Sequence, residues 1–519
     1  MVAQGVLGFQ YESDCSSPCL TSLAGLPLYL DLVRASGLDV AIRRHVQVAG
    51  GQGWLDIQMV LAVIFLNIAG GDCVEDIERL ESDSGFTAIL QAIERTFLSR
   101  AERRSLKARW RRERGRVVPS PSALSGWLER FHDPAAPKAV AGSAFIPAMT
   151  EELRGLWRAN QALLGFMQTH RPSTSATLDM DATLIEPRSG SMRRQAVSAL
   201  ETHKRDALPC YKGFKAYQPL NCWWAEQGTM LYSEFRDGNV PAGHEQLRVM
   251  KDCLRYLPAS VTKVSLRSDT AGYQEELLLY CGEGKDPRFG VIDFAIGADM
   301  TEAFRAAVLA TAESEWKPLA RMFDGQLQQT DQEYAEVCYV PAWAGHSRKR
   351  ADYRFLAIRE PLRQLALGDE ANLPFPTQAF GRKGIHKLFG DVTNRKDPGD
   401  RVIWWLRERC GKSEEVHSVM KSDLAGGQLP SGLFGANAAW WAPMILALNL
   451  NAAMKRLVLG KGWVTKRMKA LRFHLIGLPG RVVSHARQLI IRLGAGAEAL
   501  ATFVNARQTI RALACGPAG

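Results

Sequence analysis

The acidic residues that could act together fall in three places. In LDMDAT, Asp179 and Asp181 stand two apart, and at a strand's period of two both side chains leave the same face. In SLRSDTAG, Asp269 closes an apolar run and precedes a glycine-containing turn, where layered α/β sheets display functional side chains. In GKSEEVHSVMKSDL, Glu414, His417 and Lys421 fall at i, i+3 and i+7, one face of a helix two turns long. Converging carboxylates are what metal-assisted phosphodiester chemistry requires, because Mg²⁺ or Mn²⁺ takes oxygen ligands and two ions clamp the attacking and leaving oxygens. An imidazole and an amine beside the third acid can hold phosphates. Leu178, Met180 and Leu184 mark the first strand as buried, so its paired acids need a compensating positive charge. Taken singly, Asp269 also reads as a strand-end cap and the Glu414 face as an ordinary surface stripe.

The elements around these residues follow from periodicity. Three strand-like runs in succession (ATLDMDATLI, AYQPLNCWW, TMLYSEFRDG) suggest two hairpins. Helix HEQLRVMKDCLRYL, strand TKVSLRSD, helix QEELLLYCG, strand FGVIDFAIG and helix TEAFRAAVLATA follow, an α/β layered order. Residues 316–395 add strand-like pieces among Pro- and Arg-containing loops, a β-rich insertion. The last third reads as helical, including an amphipathic helix carrying Arg481, Arg487 and Arg492.

A chain of 519 residues exceeds what one hydrophobic core supports. The expected division is a helical DNA-binding domain over 1–140, a catalytic core over 141–315 and 396–454, the insertion at 316–395, and a basic helical region over 455–519. Hydrophobic residues at 46% and charged residues at 23% exclude disordered and fibrous classes. Lys and Arg total 65 against 54 Asp and Glu, a net charge of +11 that suits a polyanion. The charge is clustered: residues 100–116 hold nine Lys or Arg, with Arg100, Arg103, Lys107, Arg111 and Arg114 on one face if the stretch is a single helix. Residues 455–492 hold ten and no acid. The run Ala438–Leu448 is shorter than the ~20 residues of a membrane span, so none is predicted. The N-terminus lacks the pattern of a secretory signal, so a cytoplasmic, nucleoid-associated protein is expected.

The order of a DxDAT strand, an LRSD-T-G strand end and a helix with E-x6-K resembles bacterial insertion-sequence transposases of the DDE class. The likeness covers most of the chain and is most specific at 177–274 and 392–427. It implies a ribonuclease-H-like mixed sheet with flanking helices, and Asp181, Asp269 and Glu414 as the catalytic acids. Asp179 is then a further metal ligand, an acid that orients one, or the partner of a basic side chain. The spacings agree: 269 − 181 = 88 residues hold the hairpins and one helix, and 414 − 269 = 145 leave room for the family's β-rich insertion. Lys421 matches the lysine of a Y-x2-R-x3-E-x6-K signature, whose Tyr and Arg positions hold Arg407 and Cys410 here. Arg409, one residue away, is the candidate substitute for the phosphate contact.

The resemblance implies two Mg²⁺ or Mn²⁺ ions, double-stranded DNA as partner (terminal inverted repeats and target), a homodimer on DNA, and no membrane. Lys421, His417, Arg409, Arg103, Lys107 and Arg111 are the expected DNA contacts. Two alternatives stand beside it: an inactive DNA-binding derivative, and a stand-alone nuclease of the same fold.

Overall fold

A computed structural model describes residues 19–97, 100–137, 143–186, 207–323, 326–346, 353–362, 376–486 and 488–515. The short first strand, β1 (Leu20–Thr21), belongs to the periphery. The central strands are β2 (Ser175–Ala182), the two-residue pair β3 (Leu208–Pro209) and β4 (Lys215–Ala216), then β5 (Leu220–Trp224) and β6 (Thr229–Glu234). After these come β7 (Lys263–Ser268) and β8 (Asp293–Gly297). The expected insertion contributes β9 (Lys317–Phe323), β10 (Gln326–Val337), β11 (Arg354–Pro361), β12 (Thr377–Ala379) and β13 (Ile385–Thr393). The last two strands are β14 (Gly480–His485) and β15 (Gln488–Leu493).

Ten of these strands form one mixed sheet in the order β6-β5-β2-β7-β8-β13-β11-β10-β9, with β12 on β13. Only β2, β7 and β8 run parallel to one another; the other pairings are antiparallel. The β-rich segment therefore continues the sheet through the β13–β8 pairing. Parallel neighbours need crossovers, supplied here by the helices Gln246–Tyr256 and Glu275–Gly282. The helix Gly399–Arg407 covers the sheet's other half, placing Val402, Ile403 and Leu406 on Ala295, Leu356 and Ile358.

At the centre lies the helix Phe434–Ala453, apolar on every side and buried from Gly435 to Ala453. With its continuation to Leu459 it is 26 residues, long and apolar enough to cross a membrane. Its surroundings are protein: Asn449 Nδ2 donates to Asn160 Oδ1 at 2.7 Å, and its Oδ1 accepts from the Met230 amide at 2.8 Å. It is the core helix on which helices from before residue 170 also pack.

Three expectations change. Residues 480–493 form the hairpin β14–β15, which pairs through β14 with β1, and not an amphipathic helix; Arg481 and Arg492 are cross-strand partners, and Arg487 lies outside the described residues. The basic helix ends at Ala108. Arg114 lies beyond it, bonding Glu94 at 2.6 Å and lying over the Trp54 ring, so the shared face stops at Lys107 and excludes Arg111 and Arg114. Finally, the helix after residue 399 is broken. It stops at Arg407, restarts as Lys412–Ser418 past Gly411 (φ 79°), and widens into a π turn over Val419–Asp423, so Lys421 is not on a regular α-helical face with Glu414.

Candidate active site

Ala176, Leu178 and Met180 of β2 are buried on one face of the sheet, leaving Asp179 and Asp181 on the other. The parallel β2–β7 register runs from Ser175 opposite Lys263 to Met180 opposite Ser268, an offset of 263 − 175 = 88. Asp181 and Asp269 share that offset, so they come next in line at the carboxyl ends of adjacent strands. On β8 the row continues with Gly297, where an added Cβ would lie 3.1 Å from the Thr270 amide nitrogen; the turn after Asp269 packs directly on that glycine. Asp269 accepts the Ala271 N–H at 3.1 Å, so it is a cap as well as a candidate ligand.

The two aspartates of β2 have different partners. Asp179 is 2% exposed and takes both arms of Arg267, its register partner, at 2.6 and 2.9 Å. Arg267 also donates to the Trp405 carbonyl at 2.7 Å and pairs with Glu408 at 3.0 Å. Asp179 is thus committed to a cation of the protein. Asp181 is half-buried, with Arg409 Nη1 at 3.1 Å from its Oδ2. Burial pushes its carboxyl up to about 6; Arg409 works against that shift and the neighbouring Asp269 charge adds to it. Arg409 itself is buried, and its Nε has no partner.

Glu414 is exposed on the Lys412–Ser418 helix, on the Asp181 side of the sheet. That side is identified by His417, one turn on, whose Nε2 lies 3.2 Å from Nδ2 of Asn221, the β5 partner of Asp181. Lys421 reaches back to the Leu184 carbonyl at 3.4 Å, and burial lowers its pKa. Among the described residues no three His, Cys, Asp or Glu side chains close into a metal-holding group. Two half-buried carboxylates, one with its proton affinity raised and an arginine as counter-ion, are nevertheless a donor set suited to a hard cation.

Arg103 and Lys107 are exposed on the Arg100–Ala108 helix and Arg111 is exposed beyond it. Sequence reasoning missed Arg267, Asn221 and Asp391. Arg267 stands two residues before Asp269, and a lone arginine in an apolar strand already signals a buried carboxylate partner. Asn221 is a polar residue in the apolar run LNCWW. Asp391 of β13 pairs with Gly297 in the same row as Asp269, and burial pushes its carboxyl up to about 7 against the pull of Arg407.

The sequence matches the family described as transposase DDE domain, group 1, over residues 14–515, nearly its whole length. The chain belongs to this family. It is a DNA transposase of the DDE type, and its function is DNA transposition. No curated protein matches the transposase. Among solved structures it is similar to a piggyBac transposase synaptic complex with hairpin DNA, at 10% identity and a TM-score of 0.38, over 87% of this chain and 78% of that one. A Mos1 transposase paired-end complex with the left transposon end gives 14% identity and a TM-score of 0.14, over 37% and 54%. The family match, not these distant likenesses, carries the assignment. DDE transposases generally work with divalent metal ions.

Proposed function

We propose that this transposase cuts and joins DNA at Asp181, Asp269 and Glu414, with Asp181 and Asp269 as the paired ligands of two Mg²⁺ or Mn²⁺ ions and Glu414 as the third acid. The observation that carries the reading is the common offset of 88 residues, which sets Asp181 and Asp269 side by side at the ends of two parallel strands. Bound ions would supply an activated water or 3′-hydroxyl and neutralise charge on the phosphate. The protein's own contribution is orientation. Arg267 anchors Asp179 and so fixes the strand that presents Asp181, while the Asp269 turn is seated on Gly297. The strand order β6-β5-β2-β7-β8, antiparallel and then parallel, supports a ribonuclease-H-like core.

Double-stranded DNA is the partner, as terminal repeats and as target, bound by a homodimer. The exposed Arg103, Lys107 and Arg111 supply sequence-independent phosphate contacts. Arg409, 3.1 Å from Asp181, is placed to meet the phosphate being cut, and Lys421 is a further phosphate contact. Titrating the full chain with Mn²⁺ by calorimetry or electron paramagnetic resonance tests the ligand assignment. Asp181→Asn and Asp269→Asn should each abolish tight binding and Asp179→Asn should not; unchanged Mn²⁺ affinity in both of the first two would overturn it.

A further inference from the structure

The Lys412–Ser418 helix carries Glu414 yet has no buried residue of its own. Its apolar anchorage is limited to half-buried side chains such as Val416, so hydrogen bonds carry much of its positioning. One of them ends a chain that starts in the core. Trp441, 1% exposed, donates its Nε1–H to Ser233 Oγ at 2.8 Å; an indole N–H can only donate, so the serine oxygen accepts. The serine proton then goes to Asn221 Oδ1, 2.7 Å away between register partners of β5 and β6. With its oxygen accepting, Asn221 turns Nδ2–H outward, and His417 Nε2 stands 3.2 Å from it. Two donors cannot face each other, so Nε2 is the bare nitrogen and the ring's proton is on Nδ1. The surroundings agree: burial, then the Lys421 and Arg409 charges, push His417 down to about 4.

We infer that His417 is a positioning residue, a neutral imidazole protonated on Nδ1 and locked by the Trp441–Ser233–Asn221 chain, which docks the Glu414 helix on β5 beside Asp181. This role differs from the phosphate contact expected of His417 from sequence, and it rests on the reading of Glu414 as the third acid. The ring meets the β5 residue that is paired with Asp181, so losing the bond frees the helix at the point where Glu414 must be aligned.

Nitrogen NMR of the histidine-labelled full chain, with His417 assigned from the His417→Gln spectrum, reads the tautomer directly. The expected result is a bare Nε2 and no titration from about pH 5 to about pH 8, the window in which an ordinary histidine would titrate. In kinetics, His417→Ala should lower kcat for strand cleavage on the order of 10- to 100-fold with the Kd for DNA unchanged. His417→Gln, whose Oε1 can accept from Asn221, should recover most of the loss. A protonated Nε2, a titrating ring, or a lost DNA affinity at unchanged kcat would overturn the inference. Glu414→Gln separates the two levels. If it cleaves like wild type, the reading of Glu414 fails and the docking role with it; if it is inactive while His417→Ala is as fast as wild type, only the docking role fails.

Discussion

Asp179 and Asp181 differ by one side chain's step along a strand, and that step decides what each can do. Asp179 neutralises Arg267, and both side chains are 2% exposed. Without Asp179, Arg267 keeps only the exposed Glu408 as counter-charge, so Asp179→Ala should cost about 3 kcal/mol, the low end for a broken buried pair, read as a lower urea midpoint. Burial raises the carboxyls of both Asp179 and Asp181, and at Asp181 the rise couples stability to pH. Its folded-state pKa of about 6 lies above the ~3.9 of an unfolded aspartate, so the native state holds the proton more tightly. Stability of the metal-free protein should therefore fall as pH rises from about 4 to about 6 and then level off. Asp181→Asn should remove that slope and raise the melting temperature at pH 7; a variant less stable than wild type at pH 7 would contradict it. The sequence carried the need for compensating charge near these acids but not its allocation. Arg267 and Arg409 come from β7 and from a helix end, and which arginine meets which acid depends on register and on a chain break that residue types alone do not specify.

Elements were legible where pattern and burial agreed. The β2, β5, β6, β7 and β8 strands and the helices between them follow from alternation and 3.6-residue spacing, because each packs one face. Residues 480–493 misled because Arg481, Arg487 and Arg492 suggested a helical stripe, while the β-branched pairs Val482–Val483 and Ile490–Ile491 favour extended chain and prevailed. The break at Gly411 was hidden in a run of good helix formers, LRERCGKSEE, where only the glycine hints at a positive φ. The basic helix Arg100–Ala108 has no buried residue, so its arginines contribute charge and not packing. Replacing Arg103, Lys107 and Arg111 by Ala should weaken DNA binding while leaving the fold intact. The slope of log K against log salt should fall by up to about 0.9 for each side chain that meets a phosphate. An unaltered slope would assign these residues to solvent.

Across the whole molecule, the proposed site is assembled from segments that are distant in sequence. Asp269 follows Asp181 by 88 residues because hairpins and one crossover lie between, and Glu414 follows by a further 145 because β9–β13 are built onto the same sheet before the chain returns over Asp181. The buried helix Phe434–Ala453 ties that return to the early helices and, through Trp441, to the Glu414 helix. The order of acids could be read from sequence, and so could the presence of an insertion. The placement of the Glu414 helix could not, since it depends on a chain break at Gly411 and on a bond between His417 and Asn221 that residue types alone do not specify.

On the proposed function, Asp181, Asp269 and Glu414 cut DNA together. The full-length protein, given Mg²⁺ or Mn²⁺ and a supercoiled plasmid carrying the DNA that flanks its gene on both sides, tests it most directly. Strand breaks at the element's ends that leave 3′-hydroxyls are the expected result. These should vanish in chelator and in Asp181→Asn, Asp269→Asn and Glu414→Gln, although each variant still binds the same DNA. Cleavage undiminished in chelator, or by Asp181→Asn, would contradict it.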